Sequence, residues 1–223
     1  MALAGMLLGM SGTAMADTSA EWTPYDGEQL VFDIEHKGKV IGEMVMRFAR
    51  AESGQLTMTR TQSFKAKKML VKVRMDQQVE EVWQAGHFVR MKAHTDVDTS
   101  VGDRQIEFTA QRTPDGQLLV HGVDGEKVLP GDLMPSALWH RNLLGQDRYF
   151  QPRGGRIVAM EPTPMGSDQW SFGGRTVSCE KIKVVTEGPE GEPAEILVWY
   201  TDAGQPCGMR LSSPLGDLTY MRR

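Results

Sequence analysis

The sequence predicts a mostly β protein: a single strongly curved antiparallel sheet or open β-barrel with one short helix near 132–144. Three observations carry this. Apolar residues recur at every second position through most of the chain, the period of a half-buried strand. Tight turns built on Gly, Pro and Asp separate these runs at intervals of roughly ten to fifteen residues, with no helix between them. After the N-terminus, only the stretch LPGDLMPSALWHRNLL, residues 129–144, has helical spacing. With 223 residues, 40% hydrophobic and 24% charged, the chain can bury one sizeable core and does not require two domains.

Residues 1–16 form the first unit. Ala2–Met10 is a short apolar run, Ser11-Gly12-Thr13 breaks it, and Ala14-Met15-Ala16 is the small-residue pattern of a signal-peptidase site. The run is too short to span a bilayer. Export to the periplasm with cleavage after Ala16 is therefore expected, although the positive n-region is missing from the sequence as it begins here. Residues 17–28 read as an exposed lead-in that Trp22 and Tyr25 pin down, and residues 29–223 as a single antiparallel β domain.

Within that domain, Leu30, Phe32 and Ile34 alternate with polar neighbours. The turn His36-Lys37-Gly38-Lys39 then leads to Val40, Gly42, Met44, Met46 and Phe48 on one face, which together make a hairpin. After Glu52-Ser53-Gly54, Leu56, Met58 and Phe64 alternate with Thr57, Thr59 and Thr61. A long strand follows over 68–83, with Val71, Val73, Met75, Gln77, Val79, Glu81 and Trp83 on one parity. Ala85-Gly86 turns the chain into Val89–Val97, Val101-Gly102-Asp103 into Ile106–Ala110, and Pro114-Asp115-Gly116 into Leu118–Val123.

The pattern then changes. Asp132 can cap a helix that Pro135 opens, and Met134/Leu138 and Trp139/Leu143 are four apart. Strands resume over 156–160, Pro162–Gly166 reads as a loop, and Trp170–Phe172, Thr176–Thr186, Glu195–Thr201, Cys207–Ser212 and Leu218–Met221 complete the count.

Cys179 and Cys207 are an even pair, which invites a disulfide in an oxidising compartment. In consecutive hairpins, however, they lie on strands separated by a third. Two strand spacings come to about 9–10 Å, whereas a disulfide needs Cα atoms within roughly 7 Å. A flat meander disfavours the bond; a folded-over turn or strand switch would allow it.

A net charge of −4 without a basic stripe argues against nucleic acid as a partner. The one dense basic cluster is Arg60, Lys65, Lys67, Lys68, Lys72 and Arg74. Strand edges and solvated faces account for it most simply; the sharper reading is peripheral contact with an anionic partner such as lipid headgroups, or with envelope proteins. The five histidines show no metal-ligand spacing, and CxxC, P-loop and GxSxG motifs are missing, so neither metal nor cofactor is expected. Glu80 and Glu81 face opposite sides of their strand and cannot act as a pair. His94 and Asp96 share a face, which exposed polar residues commonly do. Trp139-His140 reads foremost as a core tryptophan beside an exposed histidine, and alternatively as an imidazole at a pocket mouth.

Several short motifs carry a resemblance: Val40-Ile41-Gly42 closing the first hairpin, Glu81-x-Trp83, Thr95-x-Val97, Ser136-Ala137-Leu138-Trp139, Val198-Trp199-Tyr200 and Leu218-Thr219-Tyr220. Over roughly residues 28–221 the chain resembles an uncharacterised family of exported bacterial β-rich proteins, classed as a domain of unknown function. The resemblance implies a lipocalin-like or periplasmic lipoprotein-carrier-like architecture and no known activity. It also implies aromatic positions near Val73-Arg74-Met75, which this chain lacks.

Three functions follow as expectations. The first is a non-enzymatic, monomeric periplasmic protein whose concave sheet face binds an apolar small molecule or lipid through Met44, Met46, Met75, Trp83, Leu138 and Trp139, with 132–144 as lid. The second is an envelope structural or interaction protein with a filled core. The third is a hydrolase or isomerase acting on lipid or glycan, using His94, His140 or a nearby acid, which requires a histidine near a carboxylate inside a cleft.

Overall fold

The computed structural model describes residues 22–68, 71–188, 191–213 and 216–223. The expected signal peptide and the start of the lead-in lie outside the described residues. The rest folds into β1 (Gln29–His36), β2 (Lys39–Arg50), β3 (Leu56–Lys68), β4 (Val71–Gln84), β5 (His87–Thr99), β6 (Gly102–Arg112), β7 (Leu118–Gly122), β8 (Gly125–Leu129), a 3-10 helix (Arg141–Gly145), β9 (Arg148–Phe150), β10 (Ile157–Ala159), β11 (Glu161–Phe172), β12 (Arg175–Glu187), β13 (Pro193–Tyr200), β14 (Pro206–Ser213) and β15 (Gly216–Arg222).

Thirteen of these strands make one antiparallel sheet in the order β11-β12-β13-β14-β15-β1-β2-β3-β4-β5-β6-β7-β8, and β9 and β10 form a separate ribbon. Every neighbour except β15–β1 is a hairpin partner, so the sheet is a meander in which the first and last strands meet in the middle. The predicted alternation sets which face is buried. Leu30, Phe32 and Ile34, then Met44, Met46 and Phe48, then Leu56, Met58 and Phe64 all enter one core on the concave side. A one-residue slip would turn each set out to solvent, which pins the register. Ala85 and Gly86 both take positive φ, 48° and 78°, the twist a two-residue hairpin needs.

β2 and β3 come very close at Gly42. A β-carbon there would lie 2.1 Å from the Ser63 carbonyl oxygen and 2.5 Å from Phe64 Cβ, so β2 and β3 approach more closely than any side chain on Gly42 would allow. The sheet bends strongly but does not close. Its two edges are β8 and β11. Pro162 and Pro164, expected in a loop, instead lie within edge strand β11, beside a register shift between Pro164 and Ser167. Proline cannot donate to a ladder, and an edge strand tolerates that loss.

The chain between β8 and β11 bridges the open seam. At one edge, Arg153 O accepts the Val123 N–H at 3.0 Å, and Lys127 Nζ donates to Gly154 O at 2.9 Å. Towards the other, Tyr149 Oη meets Thr186 Oγ1 at 3.0 Å, Gln151 Nε2 donates to Glu187 O at 3.0 Å, and Tyr200 Oη donates to Leu138 O at 2.5 Å.

The expected helix is shorter and later than its spacing suggested: a single 3-10 turn over Arg141–Gly145. Pro135 disfavours helical geometry at Met134, and Pro135 instead bridges Phe150 in parallel, with the Phe150 N–H donating to Met134 O at 3.0 Å. Leu133, Met134, Ala137 and Trp139 are all buried, and tertiary contacts supply what an isolated helix would have to supply for itself.

The cysteines are the second correction. Cys179 and Cys207 are bonded, with Cα atoms 6.6 Å apart. The flat-sheet expectation fails because the intervening strand has run out where they sit. The last β12–β13 pair is Glu180–Tyr200, one residue short of Cys179, and Cys207 is the extra residue in a bulge between the Trp199–Gly208 and Tyr200–Pro206 pairs. The bond lies in a small core on the convex face with Leu197, Trp199, Trp170, Phe172 and Val177. The β11–β12 hairpin folds back over that face: Trp170 lies against Gly208 of β14, and the Arg222 guanidinium of β15 sits 4.4 Å from the Phe172 ring.

Candidate functional site

The concave face has two halves. One is filled. Trp139 is 2% exposed and packs edge-on against Trp22, Phe48 and Trp83 at 6.4, 5.2 and 5.5 Å, while Phe88, Phe108 and Phe150 continue the aromatic layer. The other half holds a cavity of about 620 Å³ between β1–β4, β12–β15 and the bridging segment. Its walls are mainly apolar: Phe32, Met44, Met46, Phe64 and Met75 from one flank, Ile196, Val198, Met209, Leu211 and Leu218 from the other, and Leu138 and Trp139 above. That volume falls within the range of small-molecule sites.

Five of the six residues expected to bind ligand, Met44, Met46, Met75, Leu138 and Trp139, line this one cavity. Trp83 does not: it stands behind Trp139, inside the filled half. Its indole Nε1 donates to Glu81 Oε2 at 3.1 Å, and Trp139 Nε1 donates to the same oxygen at 2.9 Å. His140 stacks on Trp83 with ring centres 4.8 Å apart, so the Trp-His dipeptide divides between core and a half-buried stack.

Glu81 is 1% exposed. Burial raises its carboxyl above the usual range, against the opposing effects of Arg60 and the two indole donors. The native state therefore binds a proton more readily than the unfolded chain, whose carboxyl titrates near 4.5. Stability attributable to Glu81 falls as pH rises from 4.5 through the higher native value. Glu81→Gln, which keeps an acceptor oxygen, is expected to show a flatter stability curve between pH 4.5 and that higher native value. Chemical denaturation of both proteins from pH 4 upward checks this, and parallel curves would refute it.

A band of polar side chains crosses the cavity wall, and sequence reading missed most of it. Arg60 and Gln62 of β3 point inward on the parity of Leu56, Met58 and Phe64. Arg60 Nη2 donates to Gln77 Oε1 at 3.1 Å, Gln77 Nε2 donates to Thr95 Oγ1 at 2.9 Å, and Gln62 Nε2 donates to Tyr220 Oη at 3.0 Å. Burial pushes the Tyr220 hydroxyl up to about 12. The available signal was polar residues occupying an otherwise apolar parity. Arg60 thus leaves the basic cluster to which its position in the sequence assigned it. Lys65, Lys67, Lys72 and Arg74 instead surround a depression beside the cavity, which shares Val73 and Thr99 with it.

Two histidine–carboxylate pairs lie away from the cavity. His94 Nε2 meets Asp96 Oδ2 at 2.9 Å and its Nδ1 contacts Glu107, on the outer parity of β5 and β6. Hydrogen bonds to those two carboxylates raise the imidazole's pKa. His121 pairs with Glu126 at 3.2 Å on an exposed hairpin. Among the described residues, no group of three or more His, Cys, Asp or Glu side chains is placed to hold a metal ion.

An open, barrel-like antiparallel sheet with an apolar cavity on its concave side defines the class of protein. The chain belongs to the DUF6134 family, a domain of unknown function whose model matches residues 32–223. No curated protein matches it. A β-barrel-like protein of domain of unknown function DUF1849 from Brucella abortus, known from a crystal structure, is similar in fold. Its TM-score is 0.60 at 14% identity, over 87% of this chain and 95% of that one. The expected family of uncharacterised β-rich proteins and the expected curved, open sheet are both borne out.

Proposed function

We propose that this protein is exported to the periplasm and holds an apolar or lipid-like ligand in the concave face of its sheet without transforming it. The observation that carries this is the cavity of about 620 Å³, walled by Met, Phe, Leu, Ile and Val and roofed by Leu138 and Trp139. Apolar lining of this extent is favourable for burying hydrocarbon, and flexible methionines adapt to irregular chains. The second expectation, a filled concave face, describes only the half beneath Trp139. Of the two histidines named for a hydrolytic role, His94 pairs with Asp96 and Glu107 on the outer parity of its strand, and His140 stacks on Trp83. The Cys179–Cys207 bond supports export, since disulfides persist in oxidising compartments.

Native mass spectrometry of protein purified from the periplasm tests the reading. The expected result is a discrete mass excess that denaturation releases as lipid. Adduct-free protein, together with a Trp139→Ala variant altered only in stability, would overturn it.

A further inference from the structure

We propose that the polar band in the cavity is a headgroup site, and that the ligand is an amphiphile with one long hydrocarbon chain and one terminal anion, a carboxylate or a phosphate monoester. This rests on the ligand-holding role above and names its chemical class. Arg60 carries it. Its register partners are Met46 on one side and Val79 on the other, so the guanidinium projects from an apolar part of the sheet. Its Nε is buried and has no hydrogen-bond partner. Among the described residues its one hydrogen bond is to the neutral Gln77 carbonyl oxygen. The carboxylate whose charge reaches it, Glu81, already accepts two indole donors through one oxygen.

A half-buried guanidinium facing an apolar cavity without a close counter-charge is costly. A ligand anion would remove that cost, and an uncharged ligand would not. The guanidinium also matches the planar, two-oxygen geometry of carboxylates and phosphates. The surroundings are arranged to help. Gln77 is held by Thr95 with its carbonyl towards Arg60. Tyr220 Oη accepts from Gln62, which leaves its own O–H to donate into the cavity. From this band a hydrocarbon chain has Met44, Phe64, Met75 and Leu218 to lie against.

Calorimetric titration of the full, delipidated chain with oleate, oleyl phosphate and oleyl alcohol separates the cases. The wild type is expected to bind one of the anions at least about tenfold more tightly than the alcohol. The tighter anion identifies the headgroup. Arg60→Met is expected to lose that preference while its affinity for the alcohol changes by less than about threefold. Arg60→Lys, which keeps the charge without the fork, should fall between. Equal wild-type affinity for all three ligands, or a preference that survives in Arg60→Met, would overturn the headgroup assignment and leave the ligand-holding role standing. Binding of none of the three would overturn both. The wild-type comparison needs no variant, so it decides even if Arg60→Met fails to fold.

Discussion

Trp139→Ala is expected to lower the free energy of unfolding by about 3–5 kcal/mol, the range for truncating a large buried aromatic. The indole holds the bridging segment to the sheet in two ways. It packs against Trp22, Phe48 and Trp83, and its Nε1 satisfies the buried Glu81 carboxylate at 2.9 Å. Alanine removes both, leaving a void beside the existing cavity. Trp139→Phe keeps most of the packing and loses only the N–H, so about 1–2 kcal/mol is expected. Guanidinium denaturation distinguishes them: midpoints should fall in the order wild type, Phe, Ala with an unchanged slope. Equal losses would mean that the hydrogen bond to Glu81, rather than ring packing, fastens the segment.

The paired substitution of Cys179 and Cys207 by alanine is expected to cost about 3–4 kcal/mol, the chain-entropy value for a loop of this size. The bond spans a sequence separation of 28 and both residues are fully buried. It fastens the end of β12 to the bulge in β14, where the β11–β12 hairpin folds over the convex face. Unbonded, the folded-over end of that hairpin keeps the packing of Trp170, Phe172 and Trp199 and the Trp199–Asp168 hydrogen bond. Reduced wild-type protein should match the double variant in denaturation midpoint. Two titratable thiols per chain in oxidised, denatured protein would refute the bond.

Much of the cavity was legible in the sequence because side-chain parity in a strand is a local property. Met44, Met46 and Met75 fell on the apolar parity of their strands, and the structure turns that parity inward. Leu138 and Trp139 were legible as apolar residues in the one segment that breaks the strand pattern. Trp83 had the right parity but the wrong neighbour: position along a strand does not say which part of the concave face another segment will fill. Arg60 and Gln62 were harder still. A basic or polar residue on an apolar parity is visible, but whether it meets solvent, a partner or a cavity depends on strands far away. Tyr220, which receives Gln62, is 158 residues distant.

The short motifs behind the family resemblance converge in the same way. Glu81, Trp83 and Trp139 share one carboxylate oxygen. Gly42 marks a close approach of β2 to β3. Tyr200 ties down Leu138, and Thr95 and Tyr220 belong to the polar band.

By itself the sequence determined the strand periods, the turns, the inward-facing residues and hence a curved meander, since each depends on near neighbours and on the two-residue repeat of a pleated strand. Only the tertiary structure decided three things. Packing of Leu138 and Trp139 against the inner strands, with Pro135 bridging Phe150, replaced the helix near 132–144 with turns and a single 3-10 turn. Bulging and folding at one edge brought Cys179 to Cys207. Curling of the sheet and bridging of the seam left a cavity with Arg60 facing into it. All three depend on how far the sheet curls, which accumulates strand by strand and is encoded at no single position.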